Sequence, residues 1–217
     1  MIKIISFDAD GTLVDKKFMD LFWNRGIPEL YARKHNMSFE EAKIEVEGMY
    51  HSVGERDIRW YMPEYWFTLL GLEERFEDVL RLFEAELRVY PEARNALERL
   101  VDNYELIVIS NAPREILDFE LERVGDYFTK SFSSTTDFKK VRKTADVYQE
   151  ILEKLGVKGE EIVHVGDHWD FDYLAPREAG IKTYYLDRQG EKKGDYVVSN
   201  LTEFQGKIAA LNDGHFP

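Results

Sequence analysis

Asp8-Ala9-Asp10-Gly11-Thr12 follows directly on the apolar run Ile4-Ile5-Ser6-Phe7, and this junction constrains the fold more than any other stretch. A short run rich in β-branched residues reads as a buried strand. Two carboxylates two positions apart, followed at once by a glycine, then stand at the strand's C-terminal end. In an open parallel α/β sheet, that end faces the ligand crevice. Acids placed there are costly to bury unless a cation or a proton compensates them. The junction therefore marks an expected acidic metal or phosphate site.

Further parallel strands are expected over residues 105–110, 161–167 and 182–187, with a short one at 196–198. Their interiors are apolar runs: Leu106-Ile107-Val108-Ile109, Ile162-Val163-His164-Val165 and Tyr184-Tyr185-Leu186. Such runs suit strands covered on both faces. Helical patterns separate them. One opens at Pro91, with Ala93, Leu97, Leu100 and Val101 on one face. A second spans about 113–124 and ends at Gly125. A third spans about 144–155, with Val147, Tyr148, Ile151, Leu152 and Leu155 inward and Gly156 as its stop. A short closing helix spans about 201–211. Strand–helix alternation predicts an α/β fold, a doubly wound, Rossmann-like parallel sheet with right-handed crossovers.

Residues 16–88 break the alternation. The segment holds no convincing strand and reads as consecutive helices. Ser38-Phe39-Glu40-Glu41 is a capping-box pattern for one of them. Pro63 bends or divides another, and Gly71 ends it. The expected organisation is a core of 1–15 and 89–217 with an all-helical insertion of 16–88. The insertion is rich in aromatics, among them Phe18, Phe22, Trp23, Trp66 and Phe67, and most are expected to form its own core. Arg56, in a loop, and Trp60 are its candidate substrate contacts.

Three more polar clusters lie where the strands are expected to end. They are Ser110-Asn111, Gly166-Asp167-His168-Trp169-Asp170-Phe171-Asp172, and the basic stretch Lys139-Lys140-Val141-Arg142-Lys143 before a helix. A parallel sheet brings all of them to one crevice. His164, inside a strand, reads as a packed core residue, His168 as a loop histidine, and Asp170 as exposed.

In this order the clusters resemble the four motifs of the haloacid dehalogenase superfamily, in its phosphatase branch with a helical cap of the C1 type. The likeness covers about residues 1–15 and 90–200. It extends to Ala175 and Ala179-Gly180, and to the linker Leu121 to Phe128. It implies that Asp8 is a nucleophile that forms an aspartyl-phosphate. Asp10 would be the general acid and then the base, with its backbone carbonyl on a metal. Gly11 would permit the tight turn and adjoin the phosphate. Ser110 and Asn111 would bind phosphoryl oxygens at a helix start. Asp167 and Asp172 would complete, with Asp8 and Asp10, an all-oxygen site suited to Mg²⁺. A basic residue would neutralise transition-state charge. The family often shows Lys-Pro there, whereas here Lys143 precedes Thr144 and follows Arg142. Either can fill the position, and Lys143 is favoured.

The resemblance implies a Mg²⁺-dependent phosphatase of a small phosphorylated metabolite. A sugar phosphomutase keeps both aspartates and stays open. Haloacid dehalogenases lack the second aspartate, so Asp10 speaks against that chemistry. A phosphonate hydrolase wants a cap lysine, and Lys16 and Lys17 are unconvincing. A phosphoacceptor switch places its acid pair before the phosphorylated aspartate, unlike this chain.

Composition narrows the field further. The absence of cysteine excludes disulfides, thiolate nucleophiles and cysteine-bound zinc. A net charge of −13 without a basic stripe argues against nucleic acid as a partner. The apolar runs fall short of a membrane span. With no export-signal pattern, a cytoplasmic location is expected, with a monomer as the default.

Overall fold

The computed structural model describes residues 1–212. Its sheet comprises β1 (Ile4–Phe7), β2 (Glu105–Ser110), β3 (Lys130–Ser133), β4 (Ile162–Gly166), β5 (Lys182–Leu186) and β6 (Val197–Val198). Their order is β3-β2-β1-β4-β5-β6, and every pairing is parallel. Helices cover both faces, as in a doubly wound Rossmann-like α/β fold. The strand β3 was not expected. Its Lys-Ser-Phe-Ser has no apolar run, because an edge strand with β2 as its one neighbour is not buried on both faces.

Alternation along the strands sorts side chains to two sides. Ile4 of β1, Ile107 and Ile109 of β2 and Ile162 of β4 form one apolar cluster with Val147, Tyr148, Ile151 and Leu152. The helix Ala145–Leu155 therefore covers this face. It stops where Gly156 turns left-handed at φ +67° and Val157 N–H returns to the Leu152 carbonyl at 3.2 Å. Truncating Ile151 to alanine would cost about 2–5 kcal/mol. On the other face Phe7 meets Phe204 edge-on, with ring centroids 5.8 Å apart. Phe204 belongs to the helix Leu201–Asn212, which packs on the helix Pro91–Leu100.

The chain divides into two compact units, Met1–Val14 with Val89–Pro217, and Asp15–Arg88. The second is helical throughout. Its longest helix, Phe39–Val53, starts at Ser38 with both arms of a capping box in place. Pro63 opens the helix Pro63–Leu69, which ends before Gly71. Phe18, Phe22 and Trp66 are fully buried there, and Tyr50 packs edge-on against Trp66 at 4.6 Å. The aromatic content of this segment thus serves mainly its own core.

Candidate active site

All of the charged groups of the site lie in the sheet-bearing unit. On β1, Ser6 lies on the same face as Ile4, and Asp8 continues that alternation just past the strand. Asp8 is buried, and its N–H donates to the Val165 carbonyl at 2.9 Å. From the start of the helix Ala145–Leu155, Lys143 reaches under it. Its Nζ donates to Asp8 Oδ1 at 2.5 Å, to the Ile109 carbonyl at 3.1 Å, and to Asp172 Oδ1. Lys143 is itself only 2% exposed. Three segments far apart in the chain thus share one buried charge cluster.

The energetics of this cluster follow from burial. A lysine out of water loses basicity, but Asp172 and Asp8 overcome that loss and hold Lys143 above the usual lysine range. Burial also pushes Asp172 upward, and the Lys143 charge and the His164 hydrogen bond outweigh it, so Asp172 stays ionised. At Asp8 burial prevails over Lys143, aided by the Asp172 and Asp167 charges, and raises its pKa.

Asp8, Asp167 and Asp172 offer carboxylate oxygens within 4.8 Å of one another. With all three ionised, the carboxylates against the single ammonium of Lys143 leave two negative charges, matching a divalent cation. An all-oxygen donor set suits a hard ion. The chain makes room for this arrangement at Gly166, where an added Cβ would lie 2.4 Å from the Asp172 carboxyl carbon.

The second polar cluster also arrives here. Ser110, buried at the end of β2, accepts the Ala112 N–H at 3.0 Å, which leaves its own hydroxyl hydrogen to donate. Asn111 Oδ1 accepts the Lys143 N–H at 2.9 Å, and its carbonyl accepts from Thr135 Oγ1 at 3.1 Å. Asn111 therefore steers the lysine as well as offering an amide N–H₂ group. The Arg142 guanidinium lies 5.2 Å from the Phe171 ring centroid. Gly11, at φ +79°, shapes the turn after β1, and its N–H is engaged by the Val14 carbonyl at 2.7 Å. Asp10 is half-buried on that turn. Asp170 is exposed, as expected, while His168 stacks on Phe171 at 3.8 Å. Arg56 is exposed and Trp60 half-buried, both in the helical unit, where Trp60 packs on Tyr61.

Two residues carry more of the site than their sequence context suggested. His164 is fully buried, but it is not merely packing. Its Nε2 lies 3.2 Å from both Asp172 Oδ1 and the Tyr148 hydroxyl, and its Nδ1 lies 2.7 Å from Ser6 Oγ. Tyr148 gives its hydroxyl hydrogen to the Phe171 carbonyl at 2.8 Å, so Nε2 must donate and Nδ1 accepts from Ser6. Burial holds this imidazole neutral, below its ordinary pKa. Glu120, fully enclosed on the helix Arg114–Val124, has no hydrogen-bond donor at either oxygen. Burial and the neighbouring Asp10 and Asp8 carboxylates push its pKa well above the usual carboxylate range. One sequence signal was available: Ile116, Leu117, Glu120 and Val124 share the buried stripe of that helix.

A family model described as haloacid dehalogenase-like hydrolase matches residues 2–180. The GMP/IMP nucleotidase YrfG of Escherichia coli (strain K12) is 27% identical over 168 residues, 76% of this chain and 74% of that protein. The glyceraldehyde 3-phosphate phosphatase of Pyrococcus furiosus is 27% identical over 225 residues, 93% of this chain and 91% of that one. The crystal structure of a HAD phosphatase from Thermococcus onnurineus superposes with a TM-score of 0.82. It covers 95% of this chain and 98% of its own at 24% identity, a likeness of fold. Among the described residues, no helix is long and apolar enough to cross a membrane.

Proposed function

The chain belongs to the haloacid dehalogenase-like hydrolases, and on that footing we propose that it is a Mg²⁺-dependent phosphatase of small phosphorylated metabolites. The observation that carries this reading is the buried Asp8–Lys143–Asp172 cluster, with Asp167 in reach of both acids. The relatives' names point to the same substrate class, a nucleotide in one case and a triose phosphate in the other.

In this reading each group has a chemical part. An Asp8 oxygen attacks phosphorus, and the bond to the leaving oxygen breaks. Asp10 gives that oxygen its proton. The resulting aspartyl-phosphate is then attacked by water, which Asp10 deprotonates, and inorganic phosphate departs with Asp8 restored. Ser110 Oγ–H and the Asn111 amide N–H₂ donate to the phosphoryl oxygens. Lys143 sets positive charge against the charge that builds in transfer. Asp8, Asp167, Asp172 and the Asp10 carbonyl are the groups that would hold Mg²⁺, which when bound supplies further positive charge to the phosphoryl group. Selection among substrates is assigned to the insertion, with Arg56 and Trp60 the residues to vary.

The test is phosphate release from p-nitrophenyl phosphate and from a metabolite panel. Release is expected with Mg²⁺ and not with EDTA, and Asp8→Asn should lower it by at least about 10³-fold. Silence of the wild type on every ester with Mg²⁺ would overturn the proposal.

A further inference from the structure

Arg188 stands two residues beyond β5 and reaches back to the turn that follows β1. Its Nε donates to the Gly11 carbonyl at 2.9 Å and its Nη2 to the Thr12 carbonyl at 2.9 Å. Its Nη1 donates to Glu92 Oε1 at 2.5 Å. The guanidinium rests on the Tyr90 ring, with Cζ 3.5 Å from the centroid. The loop that presents it is itself anchored. Buried Asp187 accepts the N–H groups of Gln189 at 3.2 Å, Gly190 at 3.0 Å and Lys192 at 2.5 Å.

These contacts hold the carbonyls of the two residues that follow Asp10. On one side the Ala9 carbonyl gathers the N–H groups of Thr12, Leu13 and Val14, at 3.2, 2.8 and 3.1 Å. On the other side the carbonyls of Gly11 and Thr12 point at Arg188. Gly11 has the freest backbone in the turn and sits at φ +79°. The Gly11–Thr12 and Thr12–Leu13 peptide planes are thereby held from both ends, their N–H groups on the Ala9 carbonyl and their carbonyls on Arg188. A planar fork of N–H groups holds two successive carbonyls and a carboxylate at once while stacking on an aromatic ring, which an ammonium cannot do.

We propose that Arg188 is a positioning residue for Asp10, fixing the direction from which its carboxyl meets the leaving-group oxygen. The proposal rests on the reading of Asp10 as the general acid. It separates from a purely structural role through the leaving group. An alkyl phosphate releases an alkoxide that needs the Asp10 proton, whereas p-nitrophenolate leaves without one.

The experiment compares kcat/KM of wild type and Arg188→Lys on two substrates with Mg²⁺. One is p-nitrophenyl phosphate and the other is the alkyl phosphate that wild type hydrolyses fastest. The alkyl value is expected to fall at least about tenfold further than the aryl value, within the range that general acids contribute. An equal fall on both substrates, or none on either, overturns the proposal. If Arg188→Lys does not fold, Glu92→Gln is read in the same way, because it loosens only the Nη1 anchor. A smaller shift in the same direction supports the proposal, and an unchanged ratio overturns it. A wild type that hydrolyses neither ester overturns the phosphatase reading itself, a result distinct from an active enzyme with an unchanged ratio.

Discussion

The Tyr148 hydroxyl donates to the Phe171 carbonyl, so His164, 3.2 Å away, can only donate to it. One aromatic residue thereby fixes the tautomer of another, and the same Nε2–H faces Asp172 Oδ1. Outer partners of this kind set the orientation of a metal-binding carboxylate. His164→Leu should therefore raise the Mg²⁺ concentration for half-maximal phosphate release by about 10- to 100-fold. Titration calorimetry with Mg²⁺ alone checks that the change lies in binding. An unchanged Mg²⁺ requirement would show that Asp172 keeps its orientation unaided.

Lys143 is the positive member of a cluster of three carboxylates. Lys143→Met should destabilise the ion-free protein by about 3–5 kcal/mol, because buried negative charge is left uncompensated. Mg²⁺ should recover much of that loss, while activity stays at least about 10²-fold down. Thermal melts in EDTA and in Mg²⁺, set beside phosphate release, separate the two effects. Equal melting losses in both buffers would contradict the cluster's charge balance.

Glu120 yields a pH prediction. Its folded pKa is raised, so the folded state holds the proton more tightly than the unfolded chain does. The associated stability is fully present below the unfolded value of about 4.3 and is lost as pH rises toward the folded value. Glu120→Gln has no proton to lose. Its melting temperature relative to wild type should therefore climb between pH 5 and pH 9, by about 2–4 °C for each kcal/mol relieved. A difference that stays constant with pH, or shrinks, would mean that Glu120 is ionised in the fold.

Gly166 supplies a steric test. A methyl group there would meet the Asp172 carboxyl at 2.4 Å. Gly166→Ala should cost about 1–3 kcal/mol as overpacking, and it should weaken Mg²⁺ binding more than it weakens the fold. Melts combined with a Mg²⁺ titration check this. Normal Mg²⁺ affinity in a folded variant would show that the acid has room to shift.

The site was legible in sequence wherever it is local. Asp8 and Asp10, Ser110 and Asn111, and Gly166 with Asp167 each sit beside an apolar strand, so strand end and chemistry are read together. Lys143 against Arg142 was not decidable, because a helix start can slide by one residue. In the structure the Lys143 N–H donates to Asn111 Oδ1 and its ammonium to Asp8, which favours Lys143. His164 reads as core because its neighbours are apolar, and its partners Ser6 and Asp172 become visible only when β1 and β4 pair in register. Glu120 could have been found from its helical spacing. Arg188 could not, since nothing in residues 182–192 says that the loop turns back on residue 11.

The central place of β1 has a consequence for how the molecule forms. It is first among the strands in chain order, yet its hydrogen-bonding neighbours begin at Glu105 and Ile162. During synthesis this apolar segment must wait, unpaired, through the production of the whole helical insertion. Long-range parallel pairing of this kind is slow and leaves an edge open to aggregation. A ribosome-bound chain halted before β4 should accordingly depend on chaperones far more than one halted after it.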